Sequence, residues 1–192
     1  MAIDGFSRRA GIFAYLVAAS SLAYAVVYLG FASRAPDDRS SNQLAWALIA
    51  TGALAASVAV VAMSERFGGA FARWLSLLGV GYALLSATHA VYAAILVGSG
   101  LVAGELSPTD PRGFATFGLA GLWTLVLGWN ARATAALPSR LALLAIVGGL
   151  DLVLLYAATV AGTTTLILVT GGLASVVLGP AFWIWSGRLL RS

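Results

Sequence analysis

The sequence predicts an all-α membrane protein, a polytopic bundle of six transmembrane helices in one domain that covers residues 1–192. Three observations lead to this prediction. Hydrophobic residues make up 60% of the chain and charged residues 9%, the mean hydropathy is +0.94, and the charges divide the chain into long uncharged stretches. Soluble domains contain about 25% charged residues, and a soluble fold of this size could not hide so much apolar surface from water.

Each uncharged stretch is long enough for a membrane crossing, which takes about 20 apolar residues. The first four stretches each support one helix. The last stretch, residues 141–187, would be about 70 Å long as a single helix, so it must turn once. The glycine and threonines of Val160–Thr165 mark that turn. The predicted helices are residues 10–32, 42–63, 73–98, 113–131, 140–160 and 164–187.

The arginines predict the orientation, because cytoplasmic loops carry an excess of positive charge. We interpret Arg8 and Arg9 as a cytoplasmic anchor rather than the start of a cleaved signal peptide. With the N-terminus inside, eight arginines fall on the cytoplasmic side and three, Arg34, Arg39 and Arg112, fall outside. Both termini are therefore predicted to be cytoplasmic. By analogy with chains of high-GC bacteria, which the absence of Lys and the many Ala and Arg residues resemble, the expected location is the bacterial inner (plasma) membrane.

Several chemistries are disfavoured by residues that the chain lacks. There is no cysteine and only one histidine, so thiolate metal sites and a haem held by two histidines of one chain are not expected. No catalytic motif stands out, and we predict no enzyme activity, catalytic residue, metal or cofactor. The pI near 10 reflects arginines placed singly or in pairs between apolar runs, which favours membrane orientation over nucleic-acid binding.

Two ionisable side chains, Asp151 and His89, fall inside predicted spans. A carboxylate at the centre of a helix costs about 2.5–3.5 kcal/mol on insertion scales, so Asp151 is expected to face the bundle interior. A rise of 1.5 Å per residue from the nearest cytoplasmic arginine puts Asp151 about 16 Å and His89 about 24 Å deep, which argues against direct contact. The candidate binding residues are these two and nearby hydroxyl-bearing side chains: Asp151, His89, Tyr82, Ser86, Ser20 and Tyr156.

The polar residues of the third helix recur at helical spacing. Tyr82, Ser86 and His89 stand at i, i+4 and i+7, and therefore share one face. Together with Asp151 they predict a polar interior that binds or passes a proton, a cation or a small polar ligand. The first functional hypothesis is accordingly a small transport- or channel-like protein centred on Asp151.

Two alternatives remain open at this point. In the first, the chain is a non-catalytic scaffold that joins itself or a larger membrane complex; Asp151 is then dry and bonded to hydroxyls, and the small-residue stripe within Gly171–Gly179 packs at a helix contact. In the second and weaker alternative, a groove around Trp123 and Gly121 binds lipid or pigment. The lipid bilayer is the only partner that all three hypotheses share.

The two ends of the chain carry a resemblance. The closing segment LGPAFWIWSGRLLRS (residues 178–192) has a Gly-Pro pair and spaced tryptophans, and RRAGIF (residues 8–13) opens the first helix. In layout and at these ends the chain resembles uncharacterised bacterial six-helix integral membrane proteins of the domain-of-unknown-function type. That resemblance implies the fold and no activity or site residue. Pro180 has no N–H for the Val176 carbonyl, which predicts a kink.

Overall fold

A computed structural model describes residues 5–35, 37–100 and 114–192, with side chains from residue 117 onward in the last part. Within these ranges the chain is helical and contains no β-strand. Two π-helical segments interrupt the α-helices: π1 (Tyr28–Ala32) follows α1, and π2 (Ala174–Leu178) joins α6 to α7. The α-helices are α1 (Gly5–Val27), α2 (Arg39–Glu65), α3 (Gly69–Gly98), α4 (Phe114–Thr134), α5 (Ser139–Val160), α6 (Thr164–Leu173) and α7 (Gly179–Arg191).

Helices that are long and apolar enough to cross a membrane dominate the bundle. In the part of the chain that the structure describes there are five: Gly5–Ala32, Arg39–Glu65, Gly69–Gly98, Ser139–Val160 and Thr164–Arg191. The predicted all-α helical bundle with membrane-type helices is therefore confirmed. The helix α4 is not among the five, which were sought in the described residues alone.

The helix ends differ from the hydropathy-based prediction. The first helix begins at Gly5 rather than residue 10, and the last ends at Arg191 rather than residue 187. Arginine side chains can reach the interface while their backbone stays helical, so helices extend past the apolar core. The turn in the last stretch is where it was predicted, with Gly162 at φ +65° between α5 and α6. Residues 101–112 of the predicted outer loop lie outside the described residues.

Glycines bring the backbones of α4 and α5 into direct contact. A Cβ atom on Gly149 would lie 2.5 Å from the backbone nitrogen of Leu125, and one on Gly128 would lie 2.7 Å from the carbonyl oxygen of Ala142. Neither position can carry a side chain unless the helices separate. Close backbone approach of this kind drives helix association in lipid, where no hydrophobic force acts between helices.

The apolar core is centred on Trp123, whose side chain is fully buried. Its ring stacks on Trp183 with 6.0 Å between centroids and meets Phe182 edge-on at 6.2 Å. The indole N–H donates to the Ser64 hydroxyl at 3.4 Å. Gly79 makes room for the indole, since a Cβ there would lie 2.7 Å from Nε1. This cluster closes one end of the space between the helices.

Candidate functional site

A cavity of about 360 Å³ lies inside the bundle, and residues of all seven α-helices and of both π segments line it. Small-molecule sites usually have volumes of roughly 300–1,000 Å³, so the cavity is large enough for a small ligand or a ligand head. Its wall is mostly apolar, with a minority of hydroxyl-bearing and aromatic side chains. The lining residues that the structure describes include no Asp, Glu, Arg or Lys.

Two rows of polar side chains line the cavity, one on α1 and one on α3. Within each row the residues recur every three or four positions, so they share one helix face and are separated by about 4.5–6 Å along the axis. The row on α3 is the one predicted from the sequence. The other row begins at the predicted Ser20 and continues with the same period. This spacing can also be recognised in the sequence. The first row is Ser20 and Tyr24 on α1 with Tyr28 at the start of π1, and the second is Tyr82, Ser86 and His89 on α3.

Five hydroxyls in these rows have no hydrogen-bond partner in the described part of the chain. Some other helical hydroxyls bond to a carbonyl of the preceding turn, as Thr51 does to Ala47 and as the cavity-lining Thr124 does to Ala120. Of the five residues only Ser20 is buried, and none of the five hydroxyl oxygens is among the buried atoms that lack a partner. Each hydroxyl is therefore available to an occupant of the cavity. They belong to Ser20, Tyr24, Tyr28, Tyr82 and Ser86.

Both π-helical segments contribute to the wall of the cavity, and π-bulges occur frequently at functional sites. In π2 the Gly179 N–H bonds to the Ala174 carbonyl, five residues back. The next donor in that register would be residue 180, which is proline and has no N–H. The Ser175 carbonyl is therefore released, and the hydroxyl of Ser21 on α1 donates to it at 2.9 Å. A kink was predicted at Pro180. At this position the structure has a π-helical segment, which is hydrogen-bonded to α1.

Four of the six predicted binding residues meet at this cavity: Ser20, Tyr82, Ser86 and His89. His89 also lies edge-on to Trp46, with 5.4 Å between the ring centroids. The cavity brings together residues of α1 and α3 that are more than 60 positions apart in the sequence. The other two predicted residues, Asp151 and Tyr156, are not among the described residues that line it.

Asp151 lies where α5 packs against the α6–π2 rod. It is 9% exposed, and its Oδ2 atom has no hydrogen-bond partner among the described residues. Gly148 and Leu155, one turn away on either side, both line the cavity. Leu155 also contacts Gly171 of α6, with 3.8 Å between its Cδ1 and the Gly171 Cβ position. Asp151 therefore lies beside the cavity wall, and that oxygen is bonded neither to a hydroxyl nor to any other group described.

The remaining predicted positions take part in helix packing. The ring of Tyr156 lies 3.2 Å from the Cβ position of Gly118, at the contact of α5 with α4. Around Trp123 and Gly121, where a groove was expected, the described residues are closely packed. Trp123 is fully buried, and a Cβ on Gly121 would lie 2.9 Å from the backbone nitrogen of Val153. These contacts leave no space at that position for a ligand.

Metal binding finds no support in the side chains that the structure describes, since no three His, Cys, Asp or Glu residues among them come together. The fold and the cavity define a class, a helical membrane-type bundle with a cavity between its helices whose described lining contains no Asp, Glu, Arg or Lys. No family model matches the chain, and no curated protein or solved structure is significantly similar to it. The function is therefore argued from the cavity itself.

Proposed function

We propose that this chain is a small multi-pass membrane protein that binds an amphiphilic molecule within the bilayer and moves it, as a transporter does. The observation that supports this proposal is the set of five unpartnered hydroxyls in an otherwise apolar cavity. An apolar wall accepts the hydrocarbon part of such a ligand, and the hydroxyls replace the hydrogen bonds that its head makes at the membrane surface. The proposal moves the centre of the transport hypothesis from Asp151 to the rows on α1 and α3.

A route into the cavity lies between π1 and α6. Leu29 of π1 and Leu168 of α6 both line the cavity, and they are 54% and 60% exposed. In a bilayer these exposed leucines face lipid, so a ligand that is already dissolved in the membrane can enter there without crossing water. The small-residue stripe of α6 and π2 lines the same cavity rather than filling a tight helix contact, which favours a ligand site over a scaffold.

The proposed topology has six spans, with both termini cytoplasmic, in the plasma membrane of a bacterium. The helix α4 is the sixth span. Its 21 residues give a length of about 31 Å, enough for the hydrocarbon core. It also follows α5 from Gly128 near Ala142 to Gly118 near Tyr156, so two antiparallel helices cross the membrane side by side. The main partner is the lipid bilayer. Association with a second copy of the chain or with a larger membrane complex is also expected.

A second candidate function keeps Asp151 at its centre. Its Oδ2 is buried without a partner, and ionisable residues inside membrane spans are commonly functional. In that version a proton or cation reaches Asp151, while the cavity serves only as the approach. The two versions predict opposite results for replacement of Asp151 by leucine.

Binding can be measured with purified protein in lipid nanodiscs and a fluorescent single-chain neutral amphiphile. We expect saturable binding by the wild type and by Ser57→Leu, because Ser57 is not among the lining residues and bonds to its own helix. Ser86→Leu places four carbons in the cavity and should weaken binding about tenfold or more, the equivalent of 1.4 kcal/mol. Uptake proportional to lipid in all three proteins, without saturation, would contradict the proposal.

Topology can be tested separately, since the chain has no cysteine to remove first. Single substitutions Asp37→Cys and Thr163→Cys should react with an impermeant maleimide from outside the cell. Arg66→Cys and Ser192→Cys should react only after the membrane is opened. Labelling of Thr163→Cys from the side that labels Ser192→Cys would overturn the six-span arrangement.

A further inference from the structure

We infer that the head of the ligand is an uncharged ring bearing hydrogen-bond acceptors, of the quinone type, joined to an apolar chain. This inference rests on the proposed function, since it names the ligand class of the same cavity. Three properties of the described lining residues lead to it: none of them is Asp, Glu, Arg or Lys, a group of aromatic rings lies together at one end, and hydroxyls lie beside those rings.

The absence of charge selects against an ionic head. No acidic side chain, arginine or lysine is found among the described residues of the wall. Moving an ion into an apolar site without a partner of opposite charge costs several kcal/mol. An anionic head would find only His89, and no arginine or lysine, among the described residues of the wall, and a cationic head would have only Asp151, which lies outside the lining.

The aromatic side chains favour a planar head. Tyr24 and Tyr28 stack with 5.6 Å between centroids and 19° between planes, and Trp46 meets His89 edge-on. All four line the cavity. They lie at one end of the bundle, because α1 ends there, α2 begins there and α3 returns there. A flat ring gains offset-stacked and edge-to-face contacts in such surroundings, which an alkyl or hydroxyl head does not.

The hydroxyls of the wall favour a ring that carries hydrogen-bond acceptors. Ser20 is only 5% exposed, lines the cavity, and has no hydrogen-bond partner among the described residues. Tyr24 of α1 and Tyr28 of π1 follow it at intervals of about 6 Å along the helix axis, and their hydroxyls also have no hydrogen-bond partner among the described residues. A plain hydrocarbon ring would leave all three hydroxyls unsatisfied. A ring with carbonyl oxygens accepts from them without carrying charge.

The rest of the wall suits an apolar chain. Aliphatic side chains such as Leu152, Leu155 and Ile167 line the part of the cavity formed by α5 and α6. The cavity reaches the exposed Leu29 and Leu168, where the chain of a ligand would pass into the lipid. The orientation that follows is head at the rings of α1–α3 and tail along α5 and α6.

The test compares four compounds with the same decyl chain and different heads: a benzoquinone, an alcohol, a carboxylate and a trimethylammonium. Each is titrated calorimetrically into protein in nanodiscs, with protein-free nanodiscs as the blank for partition. We expect the decylbenzoquinone to bind most tightly, decanol about tenfold more weakly for want of the stacking and second acceptor, and the two ions not to saturate. Ser20→Ala and Tyr24→Phe should each weaken the quinone severalfold, while Tyr92→Phe, an exposed tyrosine of α3 outside the cavity, should not.

The possible outcomes distinguish a failure of the quinone-type head from a failure of the proposed amphiphile-binding function. Saturable binding of either ion as tight as that of the quinone, or of decanol at equal affinity, overturns the quinone-type head and leaves an amphiphile-binding protein. Equal quinone affinity in Ser20→Ala, Tyr24→Phe and the wild type, all folded, also overturns it. If none of the four compounds saturates, the proposed function itself fails.

Discussion

The hydroxyl of Ser21 donates a hydrogen bond to the carbonyl oxygen of Ser175 at 2.9 Å, and so joins α1 to π2. The two residues are 154 positions apart in the sequence. The carbonyl is available because Pro180 cannot donate to it in the π register of the segment. The bond holds two walls of the cavity together, and both Ser21 and Ser175 line that cavity.

Removal of this donor should destabilise the bundle. We expect Ser21→Ala to lower the free energy of unfolding by about 0.6–1.7 kcal/mol, the range measured for hydrogen bonds between membrane helices. Ser57→Ala is the control, because its hydroxyl bonds within α2. In a Pro180→Ala background residue 180 regains an N–H, so Ser21→Ala should cost less there. Equal costs in the two backgrounds, measured by unfolding in mixed micelles, would contradict the role given to Pro180.

Replacement of Asp151 by leucine should be tolerated. The substitution removes a buried oxygen without a partner, whose desolvation costs about 1–3 kcal/mol. We therefore expect Asp151→Leu to be at least as stable as the wild type, and the stability of Asp151→Asn to lie between those two. Amphiphile binding should be unchanged in both variants. A folded Asp151→Leu protein that has lost binding or transport would support the candidate function centred on Asp151 instead.

The contact between α4 and α5 should reject even a methyl group at one of two adjacent glycines. At Gly149 a Cβ meets the backbone of Leu125 at 2.5 Å, so Gly149→Ala must separate the helices and should cost about 1–3 kcal/mol. At Gly148 the nearest atom is the Leu178 Cβ at 3.9 Å. Gly148→Ala should therefore be neutral or should stabilise by up to about 1 kcal/mol through helix propensity. Equal stabilities of the two variants would show that the helices do not pack in this register.

The start of α2 should depend on pH. Asp38 caps this helix, accepting from the backbone N–H of Ser40 at 3.1 Å. Hydrogen bonds from the Ser40 and then the Ser41 hydroxyl lower the pKa of the Asp38 carboxyl. Its stabilising effect is therefore complete above the ordinary pKa of about 3.9 and is lost as the pH falls through the lower folded-state value.

The corresponding experiment compares thermal unfolding of the wild type and Asp38→Ala from pH 6 to pH 2. The wild type should unfold at a higher temperature at pH 6, and the difference should shrink toward pH 2. Asp37→Ala, one residue outside the cap, should have the smaller effect at pH 6. A difference between wild type and Asp38→Ala that grows on acidification would contradict this account of the cap.

Features governed by length and local chemistry could be predicted from the sequence. The uncharged stretches give the helices, and Gly162 with its neighbouring threonines gives the turn after α5. The row of Tyr82, Ser86 and His89 follows from helical spacing alone, and the row that begins at Ser20 could have been found in the same way.

The rotation of each helix about its axis could not be predicted. A helix in a soluble protein shows its buried face by its apolar stripe, but a helix in lipid is apolar on every side. On α5 this ambiguity matters, because Gly148 and Leu155 line the cavity whereas Asp151, between them, does not. Which carbonyl Pro180 releases also depended on the π register of residues 174–178, and that register is set by packing against α1.

The most direct test of the central claim is photolabelling with a neutral amphiphile that carries a diazirine on its head, followed by peptide mass spectrometry. The label should appear on the cavity rows, at or next to Ser20, Tyr24 and Ser86, and an excess of unlabelled amphiphile should suppress it. Labelling confined to lipid-facing residues such as Leu77 and Trp129, which are 74% and 69% exposed, and unaffected by competitor would contradict a ligand site between the helices.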